Sequence, residues 1–147
     1  MDGAIHAQAG PRLREACKAI RPRGVREGEV VTTHAFNLNA DKVIHAVGPR
    51  YDRSKGGSWN TNRLKKVWER TVNEIVHHRP GEVVTGGISN GAFGYPLDVA
   101  ADTMLDALER LRHTPTTVTI CCFQPDWLKA VTKRMQRRQR ERHTRRR

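Results

Sequence analysis

The 147-residue sequence predicts an α/β fold in which helices flank a largely parallel sheet, and three observations carry that prediction. Short β-branched runs of strand length alternate along the chain with longer segments whose apolar residues recur at helical spacing. Gly, Pro, Asn and Asp punctuate the boundaries between them. The length suits one domain with a real core, and no internal repeat interrupts the pattern.

The elements follow in order. PRLREACKAI sets Leu13, Ala16, Cys17 and Ile20 on one helical face, and Pro22 with Gly24 ends it. Val30 to Phe36 and Lys42 to Val47 read as strands joined through the turn-forming NLNAD. From Asn60 to His78 the residues Leu64, Val67, Trp68, Val72, Ile75 and Val76 form a helical stripe, closed by Arg79-Pro80-Gly81. EVVTGGI reads as a buried strand, and PLDVAADTMLDALERLRH as a helix with Pro96 at its first turn. TTVTICCF is another strand, and a last helix from Asp126 leads into a basic end.

Composition narrows the function classes. The longest apolar runs fall far short of the roughly 20 residues that a membrane-spanning helix needs. MDGAIHAQAG lacks the basic start and apolar stretch of a secretory signal, so a cytoplasmic protein is expected. Three cysteines, two of them the adjacent Cys121 and Cys122, match neither a disulfide framework nor a CxxC zinc site. His77 and His78 are neighbours rather than an i, i+4 pair, so no metal site is expected. His45 reads as a hydrogen-bonded structural residue of its strand, Cys17 as packed, and Trp59, Trp68 and Trp127 as core or rim. The formal charge of +12 is concentrated at the end, where residues 133–147 hold nine Lys or Arg against one Glu. Such a run attracts nucleic acid non-specifically through counterion release, or is simply a solvated end. The expected division is a domain over 1–132 and a basic tail over 133–147.

The segment ISNGAFGYP lies between a predicted strand and a proline-started helix, where ligands of α/β sheets bind. Its two glycines, three residues apart, let the backbone turn tightly and present N–H groups to an anion, although such turns also serve packing. There is no GK[ST] and no GxGxxG, so neither a Walker loop nor a dinucleotide fingerprint is present.

DGAIHAQAGPRL, KVIHAVGP and GISNGAFGYPLDVAA, in this order and at these separations, resemble the macrodomains that bind and hydrolyse ADP-ribose derivatives. The resemblance spans Asp2 to about Val131. It is strongest to the type that removes acyl groups from O-acetyl-ADP-ribose and ADP-ribose from acidic side chains. It implies a three-layer α/β/α sandwich with a mixed, mostly parallel sheet. It further implies that the backbone of Ser89, Asn90, Gly91, Ala92, Phe93 and Gly94 surrounds the diphosphate, with Phe93 beside the distal ribose. Gly3, Ala4 and Ile5 would face the diphosphate from the other side, and Phe123 would stack on adenine. Asp2 matches the acidic residue given the catalytic role: it would orient or deprotonate water, with no cofactor required. Asn90 stands where the family usually has Thr.

The family's two leading strands, GDIT-like turn, NAAN segment and glycine run are missing from this sequence. A fragment, or a start assigned too far downstream, is the favoured expectation, ahead of a degenerate protein or a re-paired sheet. Three functions follow as expectations: a hydrolase of O-acetyl-ADP-ribose or of ADP-ribosylated protein, a non-catalytic ADP-ribose reader, and a nucleic-acid-associated protein acting through its tail.

Overall fold

The computed structural model describes residues 2–146. The chain opens with helices α1 (Asp2–Ala9) and α2 (Pro11–Ile20), then strands β1 (Val30–His34) and β2 (Lys42–Ala46). Helix α3 (Gly57–His78), strand β3 (Glu82–Thr85), helix α4 (Leu97–Leu108), strand β4 (Thr117–Ile120) and helix α5 (Pro125–Arg145) complete it, with a 3-10 turn at Glu109–Leu111.

Helix begins nine residues before Pro11, where it is expected to open, and breaks at Gly10, whose φ of 86° is a left-handed conformation that glycine adopts without strain. Pro11 then starts α2 as its first residue, where its missing N–H is no loss. Helix α3 ends at Arg79, itself left-handed, with its N–H donating to Ile75 O at 3.0 Å.

The strands form two ladders. β1 and β2 pair antiparallel, Val30 opposite Ala46, and β3 pairs with β4 parallel, Glu82 opposite Thr117. Among the described residues no ladder joins the two pairs. Packing on a common helix holds them in one layered body: Ile44 of β2, Val83 of β3 and Val118 of β4 all meet the buried group of Val72, Ile75 and Leu111. The EVVT segment, expected to be buried, is covered on one face only, leaving Val84 63% exposed. The main core lies between α3, α4 and α5, where Leu64, Trp68, Met104, Trp127 and Val131 interlock.

Helix α5 runs through residue 133 without a break to Arg145. Arg134, Arg138 and Arg142, spaced one turn apart, face the acidic stripe of α4 and its following turn. Arg134 pairs with Asp102 at 3.0 Å and Arg138 with Asp106 at 2.8 Å, while Arg142 pairs with Glu109. Lys133, Arg137, Arg140, Arg145 and Arg146 remain exposed.

Candidate functional site

The Ser89–Gly94 loop leaves the carboxyl end of β3 and leads into α4. It is pinned from beneath. Ser89, with φ of 61°, donates its hydroxyl to Pro49 O at 2.6 Å, and Tyr51 N–H donates to Phe93 O at 2.8 Å. Within the loop, Gly94 N–H reaches Gly91 O at 3.0 Å and Tyr95 N–H reaches Ser89 O at 3.1 Å. These bonds tie the loop to residues 49–51, which follow β2, so the segments leaving the carboxyl ends of β2 and β3 meet here.

Three glycines show two opposite uses. A Cβ on Gly48 would lie 2.2 Å from Ser89 Oγ, and one on Gly87 would lie 2.6 Å from Trp127 Cζ2, so both are excluded by protein atoms. A Cβ on Gly91 would meet nothing within 4 Å. The space above Gly91 is therefore open, while the loop's underside is filled. Among the described residues, the backbone N–H groups of residues 89–93 donate to no protein acceptor. Five consecutive donors without a protein acceptor, just ahead of a helix amino end, suit an anion.

Asn60 was not singled out from sequence, yet it organises this corner. It is fully buried, accepts from Asp52 N–H at 2.8 Å, and donates to Asp52 O at 3.0 Å and Gly56 O at 3.1 Å. Tyr95 OH donates to Asn60 O at 2.7 Å; burial raises the phenol's pKa and keeps that proton in place. Its position one turn before Leu64 on the apolar stripe was the available signal, since a polar residue on a buried stripe demands partners.

The remaining predicted residues lie on other elements. Phe123 follows β4 and is 76% exposed. Cys121 N–H donates to Thr85 O at 2.8 Å, so the Phe123 segment and the loop emerge from the same end of the β3–β4 pair. Asp2, Gly3, Ala4 and Ile5 lie on α1; Asp2 is exposed and faces His6 Nε2 at 3.5 Å. Among the described residues no hydrogen bond or ion pair joins α1 to the loop. Behind α1, His45 lies 2.9 Å from Thr33 Oγ1 and 3.6 Å from Cys17 Sγ, a packed polar cluster in which burial raises the thiol's pKa and lowers the imidazole's. A separate cavity of about 710 Å³ between α4, β4 and α5 shares no residue with the loop.

Helices layered on short strands, with a glycine-rich loop leaving a strand end ahead of a helix, define an α/β domain. The chain belongs to the macro domain family, whose model, described as Macro domain, matches residues 1–104. It is 37% identical over 131 residues to O-acetyl-ADP-ribose deacetylase 2 of Pantoea vagans, covering 86% of this chain and 75% of that protein. It is 35% identical over 133 residues to the O-acetyl-ADP-ribose deacetylase of Enterobacter cloacae, covering 87% of this chain and 73% of that one. The structure superposes on the Oceanobacillus iheyensis macrodomain with ADP at a TM-score of 0.84 and 24% identity, over 95% of this chain and 76% of that chain, a likeness of fold.

Proposed function

We propose that this chain binds ADP-ribose at the Ser89–Gly94 loop and hydrolyses a bond at its distal ribose, releasing acetate from O-acetyl-ADP-ribose or ADP-ribose from an acidic side chain. The observation that carries the binding step is the row of unpartnered N–H groups beneath open space at Gly91. A diphosphate replaces the water on those donors, and Phe93 and Phe123 offer rings for the distal ribose and the adenine. Gly3, Ala4 and Ile5 close the site from α1. Names of relatives at 35–37% identity favour the deacetylase chemistry.

In the reaction, Asp2 accepts a proton from water as its oxygen attacks the acetyl carbon. The tetrahedral species then expels the ribose oxygen, which takes the proton, leaving acetate and ADP-ribose. No cofactor and no nucleophilic side chain takes part. Calorimetric titration of ADP-ribose, with Gly91→Glu as control, tests the binding; hydrolysis of O-acetyl-ADP-ribose by the native chain and Asp2→Asn tests the step. ADP-ribose binding without turnover in the native chain would leave a reader rather than a hydrolase.

A second reading concerns α5, whose exposed Lys133, Arg137, Arg140, Arg145 and Arg146 form a basic face left over after the α4 pairs are made. That face suits non-specific attraction to nucleic acid. Reversing Lys133, Arg137 and Arg140 to Glu would abolish such attraction; unchanged binding to duplex DNA at low salt would dismiss it.

A further inference from the structure

Beyond the loop, at the Phe93 end, aromatic rings and cations alternate along one continuous strip. The Arg50 guanidinium sits 5.2 Å from the Phe93 ring centre. Arg63 donates to Arg50 O at 3.5 Å and lies 4.6 Å from the centre of the Trp59 ring. Lys55 Nζ stands 5.6 Å from the same ring. Trp59 and Arg63 are spaced four apart and share one edge of the start of α3, and Lys55 lies in the turn that precedes the helix. Trp59 is 40% exposed, while Trp68 and Trp127 are in the core.

The cations of the strip are not equivalent. Arg63 is held by Glu27 and fixes one face of the indole. Arg50, Arg53 and Lys55 are exposed, and no salt bridge takes up their charge among the described residues. Asp52 is a carboxylate within the strip; the Ser54 hydroxyl and N–H donate to it at 2.6 and 2.9 Å and lower its pKa, so it is engaged within its own turn. What remains is an exposed indole with Lys55 over it and the held Arg63 against it, a second ring, Phe93, that carries Arg50, and an exposed Arg53 in the turn between Arg50 and Lys55.

We infer that this strip is a binding track for single-stranded nucleic acid, with a base stacked on Trp59 in place of the Lys55 ammonium and phosphates paired with Arg50, Arg53 and Lys55. Stacking platforms interleaved with cations are what unpaired strands require, because every base has a π-face and every linkage a charge. A duplex keeps its bases stacked internally and gains only the charge term. The track shares Phe93 with the proposed ADP-ribose site but does not rest on that reading.

The test is fluorescence anisotropy of labelled deoxythymidine and uridine decamers with the full chain, across a salt series. Both decamers bind, quench the emission of the one exposed tryptophan, and outcompete a duplex of equal length. Trp59→Ala weakens binding about 10-fold, and Trp59→Phe stays within about 3-fold of the native chain. Replacing Arg50, Arg53 and Lys55 with Ser lowers the slope of log affinity against log salt by about 2, since each phosphate contact on a single strand contributes about 0.7. Trp59→Ala leaves that slope unchanged. The Lys133, Arg137 and Arg140 charge reversal on α5 leaves the quenching of Trp59 by the decamers in place. Native affinity in Trp59→Ala, equal affinity for duplex, or loss of decamer binding through the α5 reversal alone would overturn the track. Titrating ADP-ribose into the same variants reports on the loop separately, so either idea can fail without the other.

Discussion

The Ser89–Gly94 loop and helix α1 carry the two halves of the proposed site, and they are built in different ways. The loop is held by Pro49, Tyr51 and Tyr95 through hydrogen bonds, and its underside is packed so tightly that Gly48 and Gly87 admit no side chain. Helix α1 buries only Ala9, begins with an exposed Asp2, and makes no polar bond to the loop among the described residues. The proposed binding and chemistry thus rest on unequal numbers of anchoring contacts. The loop needs no partner to keep its shape, whereas the position of Asp2 depends on a short helix with few anchors.

The largest expected effect separates the two. Asp2→Asn lowers turnover of O-acetyl-ADP-ribose about 10²- to 10⁴-fold, the usual worth of a general base, while the dissociation constant for ADP-ribose stays within about 3-fold. Equal losses in both would place Asp2 in binding rather than in chemistry. Gly91→Glu does the reverse to the loop. It sets a carboxylate among phosphates, and calorimetry reads an affinity loss of about 100-fold or more, with an unchanged melting temperature because the Cβ enters open space.

Smaller effects sharpen the picture of the loop. Gly87→Ala forces a methyl group against Trp127 and costs about 1–3 kcal/mol in urea unfolding, whereas Gly91→Ala stays within about 0.5 kcal/mol of the native chain. Equal stabilities would contradict the filled underside. Phe123→Ala lowers ADP-ribose affinity about 5-fold, the low end for base stacking on a ring, with no loss of stability from so exposed a residue. The smallest effect belongs to the cluster behind α1. Burial, then the field of His6, lowers the pKa of His45 below the ordinary 6.5, with Asp2 opposing. Below about that pH the unfolded chain binds a proton that folded His45 resists, so stability falls as pH drops from there toward the folded pKa; above it His45 adds no slope. His45→Gln flattens that part of the stability–pH curve.

The elements most legible in sequence are those whose periodicity is strongest. Leu64, Val67, Trp68, Val72 and Ile75 place α3 on its core face as their spacing predicts, and Val30 to His34 and Lys42 to Ala46 fall within their predicted strands. α1 was hidden because DGAIHAQA has no apolar stripe; its helix is local and mostly exposed. The course of α5 beyond residue 132 was equally hidden, because a run of arginines looks solvated unless the acidic spacing of Asp98, Asp102 and Asp106 is set beside it. The loop announced itself through its glycines and motif, but its supports did not. Asn60, Gly48 and Gly87 act through contacts with segments far along the chain, which no local pattern displays.

The pairing of α5 with α4 changes how any shortened version of this protein should be judged. Cutting the chain after residue 132 would remove Arg134, Arg138 and Arg142, leave Asp98, Asp102 and Asp106 without their ion-pair partners, and leave Glu109 with Arg112 alone. One surface of the truncated molecule would thus change sign, from a balanced mosaic to a row of three unpaired carboxylates that repel one another and any polyanion nearby. A truncation that stopped binding nucleic acid would report that new repulsion together with the lost attraction.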